Sequence, residues 1–185
     1  MCKVRQSLQL TMALLKPDVI ANPIVATEIK ETILRNGFFF VQSRYLRLNR
    51  QKAEEFYQEH KGRFFYNRLV SFMSSGPISA HILVRDDAIR HWRQLMGPTK
   101  VFKTVYECPN SLRGRFGLTD TRNSMHGSDS EPTAEREIAF FFPEFDIARW
   151  YAKDGEYFLN RDVDFDEIRW EHRPKRNGVS LELGT

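Results

Sequence analysis

The sequence predicts one layered domain of β-strands and amphipathic helices, and three features carry that prediction. Leu8–Leu15 is an apolar run of strand length. Ile78, Ala80, Ile82 and Val84 recur at every second position, the period of a strand with one buried face. Around these lie stretches whose apolar residues recur at helical spacing. Taken alone, such alternation suggests a parallel, doubly wound sheet. A chain of 185 residues suits one domain with a tail, and 41% hydrophobic and 13% aromatic residues can fill a core.

The elements follow in order. Lys16 ends the first strand, and Pro17 keeps it out of helical geometry. Asn22-Pro23 is a helix start, with Val25, Ile29 and Ile33 on one face and Gly37 placed to stop it. Residues 38–48 read as a strand. Asn49 opens a helix carrying Ala53, Phe56, Tyr57 and His60, which Lys61-Gly62-Arg63 breaks. A short helix with Leu69, Phe72 and Met73 ends at Gly76-Pro77 and completes a helical hairpin. After the Ile78–Val84 strand, Asp86-Asp87 caps a helix with Ile89, Trp92 and Met96, and Arg93 lies at the edge of its apolar stripe. Residues 99–116 show no periodicity and predict a long functional loop, rich in Lys100, Lys103, Arg113 and Arg115. Asp129 and Ser130 are N-cap residues for a helix running to Phe142, with Pro132 in its first turn. Residues 146–151 read as a short helix. Beyond it the composition changes, and Tyr157, Phe158 and Trp170 either dock this tail on the body or leave it solvated.

Several function classes are absent. There is no P-loop pattern, no protein-kinase catalytic loop and no apolar run of membrane-spanning length. Cys2 and Cys108 form no metal or disulfide spacing, which favours a reducing compartment. A net charge of +4 favours an anionic partner, nucleotide phosphate or nucleic acid. Residues 113–118 fail the RNA-recognition RNP1 pattern, so no nucleic acid is expected. The short segment before Ser7 has Lys3 and Arg5 and no acid, the flavour of a mitochondrial presequence.

One octet concentrates chemistry: Asn123-Ser124-Met125-His126-Gly127-Ser128-Asp129-Ser130. It sets an imidazole just before a helix N-terminus, where free N–H groups favour anions. Gly127 leaves room beside the ring for a phosphate. The octet resembles the active-site signature of nucleoside diphosphate kinases. So do Leu15-Lys16-Pro17-Asp18, Lys61-Gly62-Arg63-Phe64-Phe65, Ser75-Gly76-Pro77, Leu95-Met96-Gly97-Pro98-Thr99 and Leu112-Arg113-Gly114, in that order. The resemblance spans about residues 8–151 and is closest to the divergent type-six branch.

That resemblance replaces the doubly wound sheet with an α+β, ferredoxin-like sandwich: a four-stranded antiparallel sheet (βαββαβ) plus the helical hairpin. It implies a kinase-like domain at 1–151 and a C-terminal extension at 152–185. It implies transfer of the terminal phosphate of ATP to nucleoside diphosphates through a phosphohistidine on His126. Glu137 and Ser128 would orient the ring. Lys16, Tyr57, Phe65, Arg93, Thr99, Arg113 and Asn123 would bind the nucleotide, and Arg113 would be replaceable without loss of fold. Magnesium would arrive with the nucleotide, without a direct protein ligand; Asp129 would touch it through water. Phe64 departs from the family, which often has proline there. The other histidines, His60, His81, His91 and His172, are expected to be structural or exposed. The longer 99–113 segment and the tail imply an assembly other than the family's hexamer, or a protein partner. They also keep open an alternative, a weakly active or inactive nucleotide-binding regulator. Mitochondria are the implied location, with the cytoplasm as the alternative.

Overall fold

A computed structural model describes residues 7–176. The basic segment with Lys3 and Arg5, and Cys2 beside it, lie outside the described residues. Strands β1 (Leu8–Leu15), β2 (Phe39–Arg47), β3 (Pro77–Asp86) and β4 (Met125–Gly127) form one sheet in the order β2-β3-β1-β4. Every neighbouring pair is antiparallel. Helices α1 (Pro17–Ile20) and α2 (Pro23–Arg35) lie between β1 and β2. Helices α3 (Arg50–Phe56) and α4 (Tyr66–Met73) lie between β2 and β3, and α5 (Ala88–Met96), α6 (Val101–Glu107) and α7 (Leu112–Phe116) between β3 and β4. Then follow α8 (Glu131–Phe141), α9 (Ile147–Lys153), α10 (Gly155–Leu159) and the hairpin β5 (Val163–Asp166)–β6 (Glu171–Pro174). This is the ferredoxin-like α/β sandwich. The parallel reading fails because two helices, α3 and α4, separate β2 from β3. An antiparallel pair returns the chain to the end it left, so β3 runs back beside β2.

Several helix starts follow local chemistry. The Asn22 side chain accepts from the Val25 N–H, Asn49 from Lys52 and Ser130 from Thr133. Gly37 closes α2 at φ +76°, a conformation that costs glycine little. Asp87 differs. It occupies the N-cap of α5 in a left-handed conformation and makes no capping bond; its carboxylate pairs with Arg90.

Two expectations are corrected. Residues 99–116 are not a loop: they fold into α6 and α7, whose seven and five residues are too short for apolar periodicity to register. Strand β3 is not buried on one face only. Ile78, Ala80, Ile82 and Val84 pack against the α3–α4 hairpin, α8 and Trp150, while Leu83 packs with Ile29, Ile33, Trp92 and Met96. The alternate positions hold small or satisfied polar residues, Ser79 and His81, which disguised the second buried face. His81 lies between the Ser43 hydroxyl at 2.7 Å and the Ser79 hydroxyl at 2.8 Å. Burial drives its pKa down to about 3, so it is a neutral core residue.

The extension docks. Helix α9 runs through position 151, and Phe158 is buried against Phe39 and Trp150. The β5–β6 hairpin then covers the outer edge of β2. The Phe40 N–H donates to His172 Nδ1 at 3.0 Å, the Ser43 N–H to Glu171 at 3.0 Å, and the Ser43 hydroxyl to the Trp170 carbonyl at 2.7 Å. The Lys30 ammonium, almost fully buried, stands 4.0 Å from the Trp170 ring centre. Trp170→Ala is therefore expected to destabilise the whole domain by about 2 kcal/mol, less than a fully buried tryptophan because the residue is only partly buried. Urea denaturation would read this; an unchanged midpoint would mean the extension is not anchored by this ring.

Candidate active site

The octet enters the sheet as its shortest strand. Ser124 takes φ +71°, and the Met125 N–H closes a three-residue turn onto the Asn123 carbonyl at 2.8 Å. Two groups hold this uncommon turn: the Ser124 N–H donates to Asp18 at 3.1 Å, and the Lys16 N–H to the Ser124 carbonyl at 2.9 Å. The turn sets His126 opposite Leu14 in the β1–β4 register. Its ring then faces a cavity of about 1300 Å³.

Glu137, one-hundredth exposed, holds the ring. The His126 Nε2–H donates to one carboxylate oxygen at 2.8 Å, and the Ser128 hydroxyl donates to the other at 2.7 Å. Ser128 in turn accepts the Met12 N–H at 3.2 Å. A carboxylate only accepts, so the proton sits on Nε2 and Nδ1 keeps its lone pair. Phe56 packs edge-on against the ring with centres 5.3 Å apart. The space a Cβ on Gly127 would occupy is filled by the Trp92 indole and Met96, and Trp92 Nε1–H donates to the His126 carbonyl at 3.3 Å. Glycine is required here by this close approach as well.

Every expected site residue borders the cavity except Ser128, which lies buried behind Glu137. Lys16 Nζ donates to Asn123 Oδ1 at 2.6 Å. Burial, and secondarily Arg113, lower the Lys16 pKa to about 7. Arg93 and Thr99 are exposed on the rim. Tyr57 is buried with its hydroxyl unpaired among the described residues, and burial raises its pKa. Phe65 lies farther out, beside the exposed Phe64. Arg113 is buried and donates to three carbonyls: Gly97 at 2.7 Å, Met125 at 2.9 Å and Asn123 at 3.3 Å. It therefore pins the histidine strand as well as facing the cavity, so its removal does not leave the fold untouched.

Three residues beyond those expected belong to the site. Asp18 holds the Ser124 turn, and burial raises its carboxyl pKa. His60 bridges Tyr57 and Phe65, with ring centres at 6.1 and 5.5 Å; its place three residues after Tyr57 was the available signal. Asp120 lines the mouth, and no sequence pattern marked it.

The comparisons with known proteins bear on the family and the fold. Residues 9–147 match the family model of nucleoside diphosphate kinase. The chain is 52% identical over 166 residues to nucleoside diphosphate kinase 6 of Xenopus tropicalis, covering 90% of this chain and 93% of that protein. It is 54% identical over 149 residues to the human protein of that name, covering 80% of each. Among solved structures, the Aquifex aeolicus nucleoside diphosphate kinase superposes with a TM-score of 0.71 at 36% identity, over 74% of this chain and 96% of that one. The Halobacterium salinarum nucleoside diphosphate kinase in complex with CDP superposes with a TM-score of 0.69 at 31% identity, over 83% and 99%.

Two outcomes follow from the geometry. Gly127→Ala should cost about 1–3 kcal/mol through overpacking against Trp92, visible as a lowered melting temperature; an unchanged one would show that the indole can yield. The Lys16 pKa predicts proton uptake. At pH 8–9 the free amine is mostly neutral, and an anion bound beside it restores the charge. Nucleoside diphosphate binding should therefore weaken as pH rises above about 7 and take up close to one proton. Calorimetry in buffers of different ionisation heat measures that proton, and Lys16→Met should abolish it. Buffer-independent heats in the wild type would remove Lys16 from this role.

Proposed function

Because the chain belongs to the nucleoside diphosphate kinase family, we propose that it passes the terminal phosphate of ATP to other nucleoside diphosphates by way of His126. The observation that carries this reading is the Glu137 clamp. With Nε2 bonded to the carboxylate, Nδ1 is the free nucleophile on the cavity side. Its lone pair attacks the terminal phosphorus, and the bond to the bridging oxygen breaks. The nucleoside diphosphate leaves with that electron pair, and the phosphoryl group stays on nitrogen. A terminal oxygen of a second nucleoside diphosphate then attacks, and the P–N bond breaks back to the ring. Because the two nucleotides never bind together, one cavity serves both halves, a ping-pong scheme.

The cradle suits such transfer, which needs positioning and charge neutralisation more than covalent assistance. Arg93 and Arg113 offer guanidinium N–H groups, Lys16 a point charge that phosphate would restore. As the ring becomes positive on phosphorylation, Glu137 stabilises it. Among the described residues there is no cluster of three or more metal-ligating side chains. A magnesium ion would arrive with the nucleotide, held by its phosphates and water, with Asp129 as the nearby carboxylate. Thr133 bonding holds the Asp129 pKa below the usual range, so it is ionised and fit for that contact. When bound, the ion would neutralise phosphate charge.

The test is chemical. Incubation with γ-labelled ATP and magnesium should place label on His126, labile to acid and stable to base, and a nucleoside diphosphate should remove it. His126→Ala should abolish labelling and retain nucleotide binding. A wild-type protein that binds ATP yet never acquires acid-labile phosphate would be a nucleotide-binding regulator instead.

A further inference from the structure

Strand β4 has only three residues, and its register decides where His126 points. Ala13 stands opposite Gly127, Leu14 opposite His126 and Leu15 opposite Met125. Side chains alternate between the two faces of a sheet, so a slip of one residue would turn the His126 ring away from the cavity. A ladder this short does little to specify its own register. The segment that leads into it must do so.

That segment is held in an unfavourable shape. Ser124, fully buried, takes φ +71° inside the three-residue turn from Asn123 to Met125, a rare and strained form for a residue with a side chain. Its carbonyl accepts the Lys16 N–H at 2.9 Å, and its own N–H donates to Asp18 Oδ2 at 3.1 Å. Arg113 and Trp92 bind carbonyls of this stretch, those of Asn123, Met125 and His126, and neither takes the Ser124 amide. Asp18 is the acceptor that does. A buried N–H stripped of its acceptor is costly, so the turn and the bond stand together. Asp18 is itself well fixed, in the first turn of α1 between the buried Pro17 and Val19. Its other oxygen has no donor among the described residues, and the residue does not border the cavity. The carboxylate therefore acts on the turn and not on a ligand.

We infer that Asp18 is a positioning residue for His126: by holding the Ser124 amide it keeps the left-handed turn that sets the β4 register. The inference deepens the phosphoryl-transfer reading of His126 and rests on it for its consequence. Asp18 also favours the charged form of Lys16, and two substitutions separate that effect from the turn. A carboxamide loses the charge and retains an acceptor oxygen, so Asp18→Asn should preserve the turn. Asp18→Ala loses both. Glycine adopts a positive φ at little cost, so adding Ser124→Gly to Asp18→Ala should restore the turn without the bond.

NMR of the His126 ring nitrogens reads its placement without any need for turnover. In the wild type and in Asp18→Asn, the neutral ring should carry its proton on Nε2, as the Glu137 bond requires. In Asp18→Ala this signature should give way to a mixture of tautomers, and labelling of His126 at saturating ATP should slow by about tenfold or more. The added Ser124→Gly should recover both. A wild-type spectrum in Asp18→Ala overturns the inference. So does a double variant that fails to recover, or Asp18→Asn as impaired as Asp18→Ala, since both point to the charge beside Lys16 instead of the turn. Should Asp18→Ala not fold, a folded double variant with the wild-type spectrum supports the inference, and an unfolded one overturns it. A wild-type ring with its proton on Nε2 that never takes phosphate would end the kinase reading, while the spectra would still decide the register.

Discussion

The structure turns on one buried carboxylate. Glu137 sits in α8 with almost no contact with water, a costly place for a charge unless its oxygens find donors. It finds two, from β4 and from the loop after it. Those bonds join the helix to the strand, choose the histidine tautomer and leave one ring nitrogen for the cavity. Ser128 carries the connection farther, through the Met12 N–H into the central strand β1. The orientation of the ring is therefore a property of the sheet rather than of a flexible side chain.

Arg113 works in the same way from the other side. A buried guanidinium needs acceptors as a buried carboxylate needs donors, and three carbonyls supply them. Two of those carbonyls, of Asn123 and Met125, flank the left-handed Ser124. The cation that faces the cavity thus also braces the turn that delivers His126. Binding and folding roles cannot be separated by deleting it, whereas the Lys16 side chain, bonded to Asn123 alone, separates more cleanly. Burial beside Arg113 keeps that lysine poised near neutrality, ready to be charged by the anion it meets.

Much of this was legible because local chemistry decided it. Asn22-Pro23, Asn49 and Ser130 start helices with the capping bonds their types predict, and Pro17 keeps Lys16 extended. The octet and the dispersed cradle were legible through resemblance, since nothing in their spacing alone brings residues 16, 57, 93 and 126 together. What escaped was set by tertiary contact. Helices α6 and α7 are too short to show a period. The second buried face of β3 was hidden because His81 and Ser79 satisfy one another. Gly127 looked like clearance for a ligand, and only the indole of Trp92 shows why a side chain fails there. Asp120 gave no sign at all, because its place at the cavity comes from the fold and no local pattern marks it.

The C-terminal extension completes this logic at the sheet's open side. An edge strand presents unpaired amides that invite another strand, and proteins commonly cover or blunt them. Here His172 and Glu171 take the amides of Phe40 and Ser43, and the Trp170 carbonyl takes the Ser43 hydroxyl. Burial lowers the His172 pKa to about 4, so the ring is neutral in the neutral range, and the Phe40 N–H at 3.0 Å marks Nδ1 as its accepting nitrogen. Side chains rather than a fifth strand take the Phe40 and Ser43 amides of this edge while the hairpin is in place. The same hairpin sets Trp170 over Lys30, which reaches the Tyr45 hydroxyl at 3.4 Å and, after burial, adds to the lowering of the His81 pKa. A segment that composition marked as a separate tail is thereby continuous, through Ser43, with the polar seam inside the sandwich.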